Sequence, residues 1–197
     1  IDGMVLIEDL MAGVTTGDKL KTALKSKLPT GLLFKLIHGG TENDTAVILF
    51  TSGSEKDPKA VQLSHRNISS NIESFGNYVN ITSDDILLAN LVFFHVFGLT
   101  VNLWVAFYYG MTMITYANPL DFQTISNIAR DEKPTIMVGT PSFFRGYLTK
   151  SEPGDFRSLR IMVAGADKCP DALREGYLKK HGVTLLEGYG ATETSPV

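Results

Sequence analysis

Thr51, Ser52, Gly53, Ser54, Glu55, Lys56, Asp57, Pro58 and Lys59 follow directly on an apolar run at 46–50. Backbone N–H groups on a tight turn, hydroxyl donors and an ammonium group together suit the oxygens of a phosphate chain. The comparison is the phosphate loop G-x-x-x-x-G-K-[ST]. From Gly53 the string reads G-x-x-x-x-P-K-A, with Pro58 and Ala60 at two of the three defining positions. Lys59 also leads into a β-type run at 60–63, whereas that loop opens a helix. An NTPase of that kind is disfavoured. The same residues would also serve as the solvated polar turn of a hairpin.

A second group is Gly188-Tyr189-Gly190-Ala191-Thr192-Glu193-Thr194, after an apolar run at 183–186. It is not G-x-G-x-x-G, because Glu193 takes the last place. Paired glycines permit close backbone approach, Tyr189 offers a stacking face, and Glu193 is a carboxylate suited to Mg²⁺. A tight strand-end turn would use the same residues. In Val163-Ala164-Gly165-Ala166-Asp167 small side chains would let a flat group such as a purine approach the backbone; alone, the string is a plain strand-to-helix turn.

His95, inside Phe93-Phe94-His95-Val96-Phe97-Gly98-Leu99, reads as a hydrogen-bonded core histidine or as a functional one. His38, His65 and His181 are scattered, so no zinc-ligand spacing appears. Ser52 and Ser54 lack a G-x-S-x-G elbow, which disfavours a serine hydrolase. Cys169 is the single cysteine, which excludes a disulfide framework and a Cys-based zinc site and predicts a reducing compartment.

The elements that must position these residues alternate. Strand-like runs lie at 4–7, 46–50, 60–63, 86–89, 111–116, 135–138, 160–164 and 183–186. Ser64 can cap a helix carrying Ile68, Ile72, Phe75 and Val79, and Asp121 one carrying Ile125, Ile128 and Ala129 that ends before Pro134. Residues 171–180 form another, with Lys179, Lys180 and His181 in its last turn and Gly182 as its cap. The fold class is α/β, a mostly parallel sheet flanked by helices. Residues 1–44 read as a lead-in of strand, helix (16–27, with Leu20, Ala23, Leu24 and Leu28 on one face) and linker (29–44, centred on Gly39-Gly40). Residues 45–197 read as the core. No Asp, Glu, Lys or Arg occurs at 86–120, but His95, Gly98, Thr100, Asn102 and Gly110 interrupt the run, which predicts a buried helix and a strand rather than a membrane span.

The chain has 197 residues with 18 Lys+Arg against 21 Asp+Glu, a formal charge of −3. No basic cluster exceeds two residues, so nucleic acid is not an expected partner. The chain opens on Ile1 without a basic leader and stops directly after the Gly188–Thr194 group, which predicts a piece excised from a larger protein.

In this order the strings 50–55 with Pro58-Lys59, 94–99, Gly165-Ala166 and 187–193 resemble the adenylate-forming (AMP-binding) acyl-activating superfamily, over nearly the whole chain. Glu8-Asp9-Leu10 with Val14-Thr15-Thr16-Gly17-Asp18-Lys19 looks most like the acyl-carrier-protein synthetase part of 2-acylglycerophosphoethanolamine acyltransferases. The resemblance implies ATP and Mg²⁺, a fatty acid as substrate, acyl carrier protein or coenzyme A as acceptor, and a whole protein at the cytoplasmic side of the inner membrane. It implies that Thr51, Ser52, Gly53, Ser54 and Lys59 cradle the β/γ-phosphates, that Thr192 meets the α-phosphate, and that Glu193 holds Mg²⁺. Tyr189, with Gly165 and Ala166, would sandwich adenine; Gly188 and Gly190 would complete the nucleotide contacts. His95 would stand at the acyl/thiol end, with His95, Lys59 and Thr192 the catalytic set.

Lys56 and Ala60 depart from the family pattern, which has glycine at both places. Lys56 adds a cation but forfeits glycine's positive-φ freedom. The family's ribose-binding aspartate, hinge and catalytic lysine lie downstream of the Tyr-Gly-x-Thr-Glu motif, and a further subdomain lies upstream, so the isolated chain is expected to be inactive. The rival reading is a non-catalytic nucleotide-binding or scaffold module with a degenerate phosphate loop.

Overall fold

The computed structural model describes residues 7–36, 39–51 and 58–195. The chain divides into two compact units, residues 1–41 and 42–197. In the first, α1 (Ile7–Ala12) begins with Glu8 and Asp9, acids that complement the positive end of a helix. This corrects the reading of 4–7 as strand at Ile7; residues 4–6 lie outside the described residues. α2 (Thr16–Lys25) starts in a reciprocal cap: Asp18 N–H donates to Thr15 Oγ1 at 3.2 Å, and the Asp18 carboxylate accepts from Thr15 N–H at 3.0 Å. α3 (Thr30–Leu36) replaces the linker expected there. Pro29 starts this helix, its carbonyl accepting from Leu32 N–H at 2.8 Å, because a proline's missing donor is harmless ahead of the first turn.

In the second unit β1 (Thr45–Thr51) pairs antiparallel with β2 (Lys59–Ser64), Thr51 standing opposite Lys59. Ser64 and Asn67 form the capping box of α4 (His65–Tyr78). Next come β3 (Ile86–Ala89) and α5 (Val96–Gly98), which runs through a π turn at Leu99–Trp104 into α6 (Val105–Tyr109). Gly110, at φ +67°, lets the chain leave that helix for β4 (Thr112–Thr115). Three more helix–strand steps follow: α7 (Phe122–Glu132), capped by Asp121, and β5 (Ile136–Gly139); α8 (Pro141–Lys150) and β6 (Ile161–Ala164); α9 (Asp171–His181) and β7 (Leu185–Glu187). The five strands β4-β3-β5-β6-β7 pair in parallel.

Alternation along the strands splits the core into two layers. Leu88, Met137, Met162 and Leu185 pack with Ile125, Phe144, Tyr147 and Tyr177 of α7, α8 and α9. Leu87, Ile136, Val138 and Ile161 point the other way, toward Ile68, Ile72, Val96, Val101 and Val105. No helix among the described residues is long and apolar enough to cross a membrane. The amino ends of the strands are tied by Asp85, whose carboxylate accepts from Arg160 Nε and the Thr135 hydroxyl, each at 2.7 Å. An open cleft lies at the opposite, carboxyl ends of the strands.

Candidate functional site

Beyond Ala164 and Glu187 the chain turns through glycine. Gly165 N–H donates to the Gly139 carbonyl at 2.9 Å, and Gly188 N–H to the Ala164 carbonyl at 2.8 Å. The parallel ladder thus extends one residue past β6 and β7, and both glycine backbones reach the rim of a cleft of about 420 Å³. Ligands of open α/β sheets bind outside the carboxyl ends of the strands. Close packing favours glycine at both places. A β-carbon at 165 would stand 2.9 Å from Cζ of Phe97, and one at 188 would stand 3.1 Å from Cγ1 of Val163. Ala166 follows at φ +67°, a left-handed alanine on the cleft rim.

His95, Gly165, Ala166, Gly188, Tyr189, Gly190 and Thr192 all line this cleft. Tyr189 is 86% exposed, so its ring is open to stacking. His95 is no core residue: it is exposed and caps α5, its Nδ1 accepting from Phe97 N–H at 3.2 Å. That bond leaves Nε2 to carry the proton of the neutral ring. Below the rim the cleft is apolar. Val138, Ile161 and Val163 form its floor, and Phe75, Val79 and Val101 its wall. The periodicity that marked Phe75 and Val79 as core-facing is the same for a core and for a cleft wall, so nothing in the sequence separated the two.

Of the phosphate-loop residues only Thr51 and Lys59 are among the described ones, and neither lines the cleft. Thr51 is half-buried and Lys59 exposed, paired across the hairpin. Ser52, Gly53, Ser54 and Lys56 lie outside the described residues. The hairpin nevertheless reaches the second motif: β2 packs against the 3₁₀ turn Thr192–Thr194, and Asn71 Nδ2 of α4 donates to the Thr194 carbonyl at 3.3 Å. Glu193 is exposed on that turn. Among the described residues no group of three or more His, Cys, Asp or Glu could hold a metal unaided. One exposed carboxylate on a turn packed against β2 still fits Mg²⁺, which is commonly held by one or two carboxylates plus substrate phosphates.

Two other candidates are structural. The Glu187 carboxylate accepts from Cys169 N–H at 2.9 Å and pairs with Arg174, fixing the turn after β6. Burial pushes the Cys169 thiol pKa up, which disfavours the reactive thiolate.

Residues 11–197 match the AMP-binding enzyme family. Among curated relatives, acyl-CoA ligase sidI of Aspergillus fumigatus is 32% identical over 78% of this chain and 26% of its own length. A long-chain-fatty-acid–CoA ligase of Bacillus subtilis is 32% identical over 79% of this chain and 28% of its own length. Among solved structures, ATP-bound MatB from Rhodopseudomonas palustris superposes with a TM-score of 0.72 at 28% identity, over 81% of this chain and 31% of that one. The o-succinylbenzoate CoA synthetase MenE of Bacillus subtilis, in complex with its acyl-adenylate intermediate, gives 0.72 at 26% identity, over 79% and 31%. The chain therefore spans about a quarter to a third of the length of these proteins.

Proposed function

Because this chain belongs to the AMP-binding enzyme family, we propose that its cleft is the acyl-adenylate site of an ATP-dependent fatty acid ligase. The observation that carries this reading is the union of a glycine-rich polar rim with an apolar floor in one cleft at the ends of β5, β6 and β7. A fatty acyl-adenylate has the same division, a polar nucleotide joined to a hydrocarbon chain.

In the first step a carboxylate oxygen of the fatty acid attacks the α-phosphorus of ATP, and the bond to the leaving pyrophosphate breaks. In the second a thiol sulfur attacks the acyl carbon and AMP departs. The obstacle in the first step is charge, since two anions must meet. Thr51, Ser52, Gly53, Ser54 and Lys59 would hold the β/γ-phosphates, and the Thr192 hydroxyl the α-phosphate. Glu193 would hold Mg²⁺, which when bound supplies positive charge against the phosphate oxygens. Tyr189 would stack on adenine against the backbone of Gly165 and Ala166, with Gly188 and Gly190 allowing close approach. His95, on the rim above the apolar wall, would face the acyl carbon and the incoming thiol.

Coenzyme A is the acceptor named for the relatives. The acceptor we propose is the thiol of acyl carrier protein or of coenzyme A, and thioester formation with each in parallel assays distinguishes them. The test of the reading is fatty-acid-dependent ATP–pyrophosphate exchange by the protein that carries this chain. Calorimetric binding of a hydrolysis-resistant acyl-adenylate analogue accompanies it. Tyr189→Ala is expected to weaken analogue binding by about 1–3 kcal/mol through the lost stacking. Absence of both exchange and binding would overturn the reading.

A further inference from the structure

The floor of the cleft runs back from its rim and stops. β5 and β6 pair in register, Ile136 beside Ile161, Val138 beside Val163 and Gly139 beside Ala164. Side chains alternate between the faces of a sheet, so Ile161, Val163 and Gly165 form one cleft-lining row, with Ile136 and Val138 as the row beside it. The first row starts at the rim, at Gly165, and leads toward the amino ends of the strands. There Ile136, Ile161 and Ile81 line the cleft while being only 3%, 6% and 9% exposed. Side chains buried to that degree have protein behind them, and the cleft ends against them.

The residue before Ile161 fastens that end. Arg160 Nη1 donates to the Val79 carbonyl at 3.2 Å and Nη2 to the Asn80 carbonyl at 2.7 Å, while Nε donates to the Asp85 carboxylate at 2.7 Å. Ile81 N–H donates to the Gly76 carbonyl at 2.9 Å. The segment 79–81, which supplies Val79 and Ile81 to the end wall, is therefore held both to the base of β6 and to the last turns of α4. A longer ligand could push this wall aside only by breaking charge-assisted hydrogen bonds.

A fixed end and a fixed rim define a length. The four steps of strand from 165 to 161 span about 13 Å at roughly 3.3 Å each. An extended chain advances about 1.2 Å per bond, since three backbone bonds cover at most about 3.6 Å. With its carboxyl carbon at the rim, a hydrocarbon of about ten carbons fills the floor.

We propose that Ile81, Ile136 and Ile161 set the length of the acyl chain, and that the preferred substrate is a medium-chain fatty acid of about eight to ten carbons. The proposal rests on the reading of the cleft as an acyl-adenylate site. Carbons beyond the floor must displace a buried isoleucine or stay in water, and a single misfitting methylene in an apolar pocket already costs roughly tenfold in kcat/KM.

The test is ATP–pyrophosphate exchange by the protein that carries this chain, measured as kcat/KM with hexanoate, octanoate, decanoate, dodecanoate and palmitate. Octanoate and decanoate are expected to lead, with palmitate at least about tenfold lower. Ile161→Ala and Ile81→Ala should each move the optimum to acids longer by about three carbons, the number each removes. Ile161→Val, which keeps most of the packing, should move it by about one. Met162→Ala takes a similar volume from the opposite face of β6 and should leave the optimum in place. Circular dichroism of each variant checks that the fold is kept. An optimum at palmitate, or one that none of the isoleucine variants moves, would overturn the proposal and leave the cleft reading intact. An equal shift in Met162→Ala would overturn it as well, because loosening of the fold would then be the cause. Exchange with none of the acids would overturn the cleft reading itself, and the proposal with it.

Discussion

The ring of Phe97 lies against Gly165: a β-carbon at that glycine would stand 2.9 Å from Cζ of the ring and 3.3 Å from Cε1. The small residue at the end of β6 thus serves the protein's own aromatic side chain, which joins the helix after His95 to the cleft rim. A methyl group placed at 165 must displace that ring. Gly165→Ala is expected to destabilise the fold by about 1–3 kcal/mol, the usual cost of overpacking. In a Phe97→Ala background the same change should cost less than half as much. Denaturant unfolding of the four members of this cycle gives the coupling directly, and strictly additive costs would show that the two residues do not share the space.

The neighbouring Ala166 stands at φ +67°, where a β-carbon is strained and glycine is not. Ala166→Gly is expected to stabilise the chain by about 0.5–1 kcal/mol. Ala166→Val should destabilise it by about 1–2 kcal/mol, since branched residues tolerate that region worst. Melting curves of the three proteins should therefore rank Gly above Ala above Val.

The sheet and the rim were legible from the sequence, and the cleft walls were not. β3, β5 and β6 are short apolar runs bounded by turns, and Ser64 and Asp121 cap helices through bonds made three residues away, so local chemistry sufficed. Gly165, Gly188 and Gly190 were visible because strand-end glycines mark backbone approach. α3 escaped because Pro29 and the glycines beyond it read as breakers, although proline before a first turn begins a helix. The walls escaped for a deeper reason. Phe75 and Val79 continue the spacing of Ile68 and Ile72, and whether a helix face meets a core or a cleft depends on what the sheet places opposite it.

Thr51 and Lys59 face each other at the ends of the hairpin loop, and β2 packs against the turn bearing Glu193. In the proposed reaction Lys59 acts on phosphate oxygens directly and Glu193 acts through the Mg²⁺ it would hold. Lys59→Ala and Glu193→Ala are each expected to lower adenylation by about 10²–10³, the cost of losing one preorganised charge contact. Glu175→Ala, an exposed acid on α9, should leave the rate unchanged. Pyrophosphate exchange measures all three, and comparable small effects throughout would remove the hairpin from the phosphate site.

Acid should unfold the chain in two stages. His181 is buried against Phe156 and Tyr177, with Nε2 3.1 Å from Ser151 Oγ. Burial, aided by the charge of Lys180, pushes its pKa down to about 4. An unfolded histidine titrates near 6.5, so the unfolded state takes the proton first. Stability from neutral His181 is complete above about pH 6.5 and is lost as pH falls toward about 4. Asp85 follows. Burial alone would raise its pKa, but the bonds from Arg160, Thr135 and Thr82 N–H prevail and hold it at about 2. Its contribution is full above about pH 4, near the unfolded value, and disappears toward about 2. The upper limb amounts to roughly 3 kcal/mol and the lower to roughly 2 kcal/mol. His181→Gln should flatten the stability profile between pH 6.5 and 4 and leave the lower limb intact. Asp85→Asn should erase the lower limb and weaken the protein at neutral pH as well, because Arg160 and Thr135 lose their anionic partner. Urea midpoints measured across this range test both limbs, and a wild-type profile that stays level from pH 7 to 4 would show that His181 is not held neutral by its surroundings.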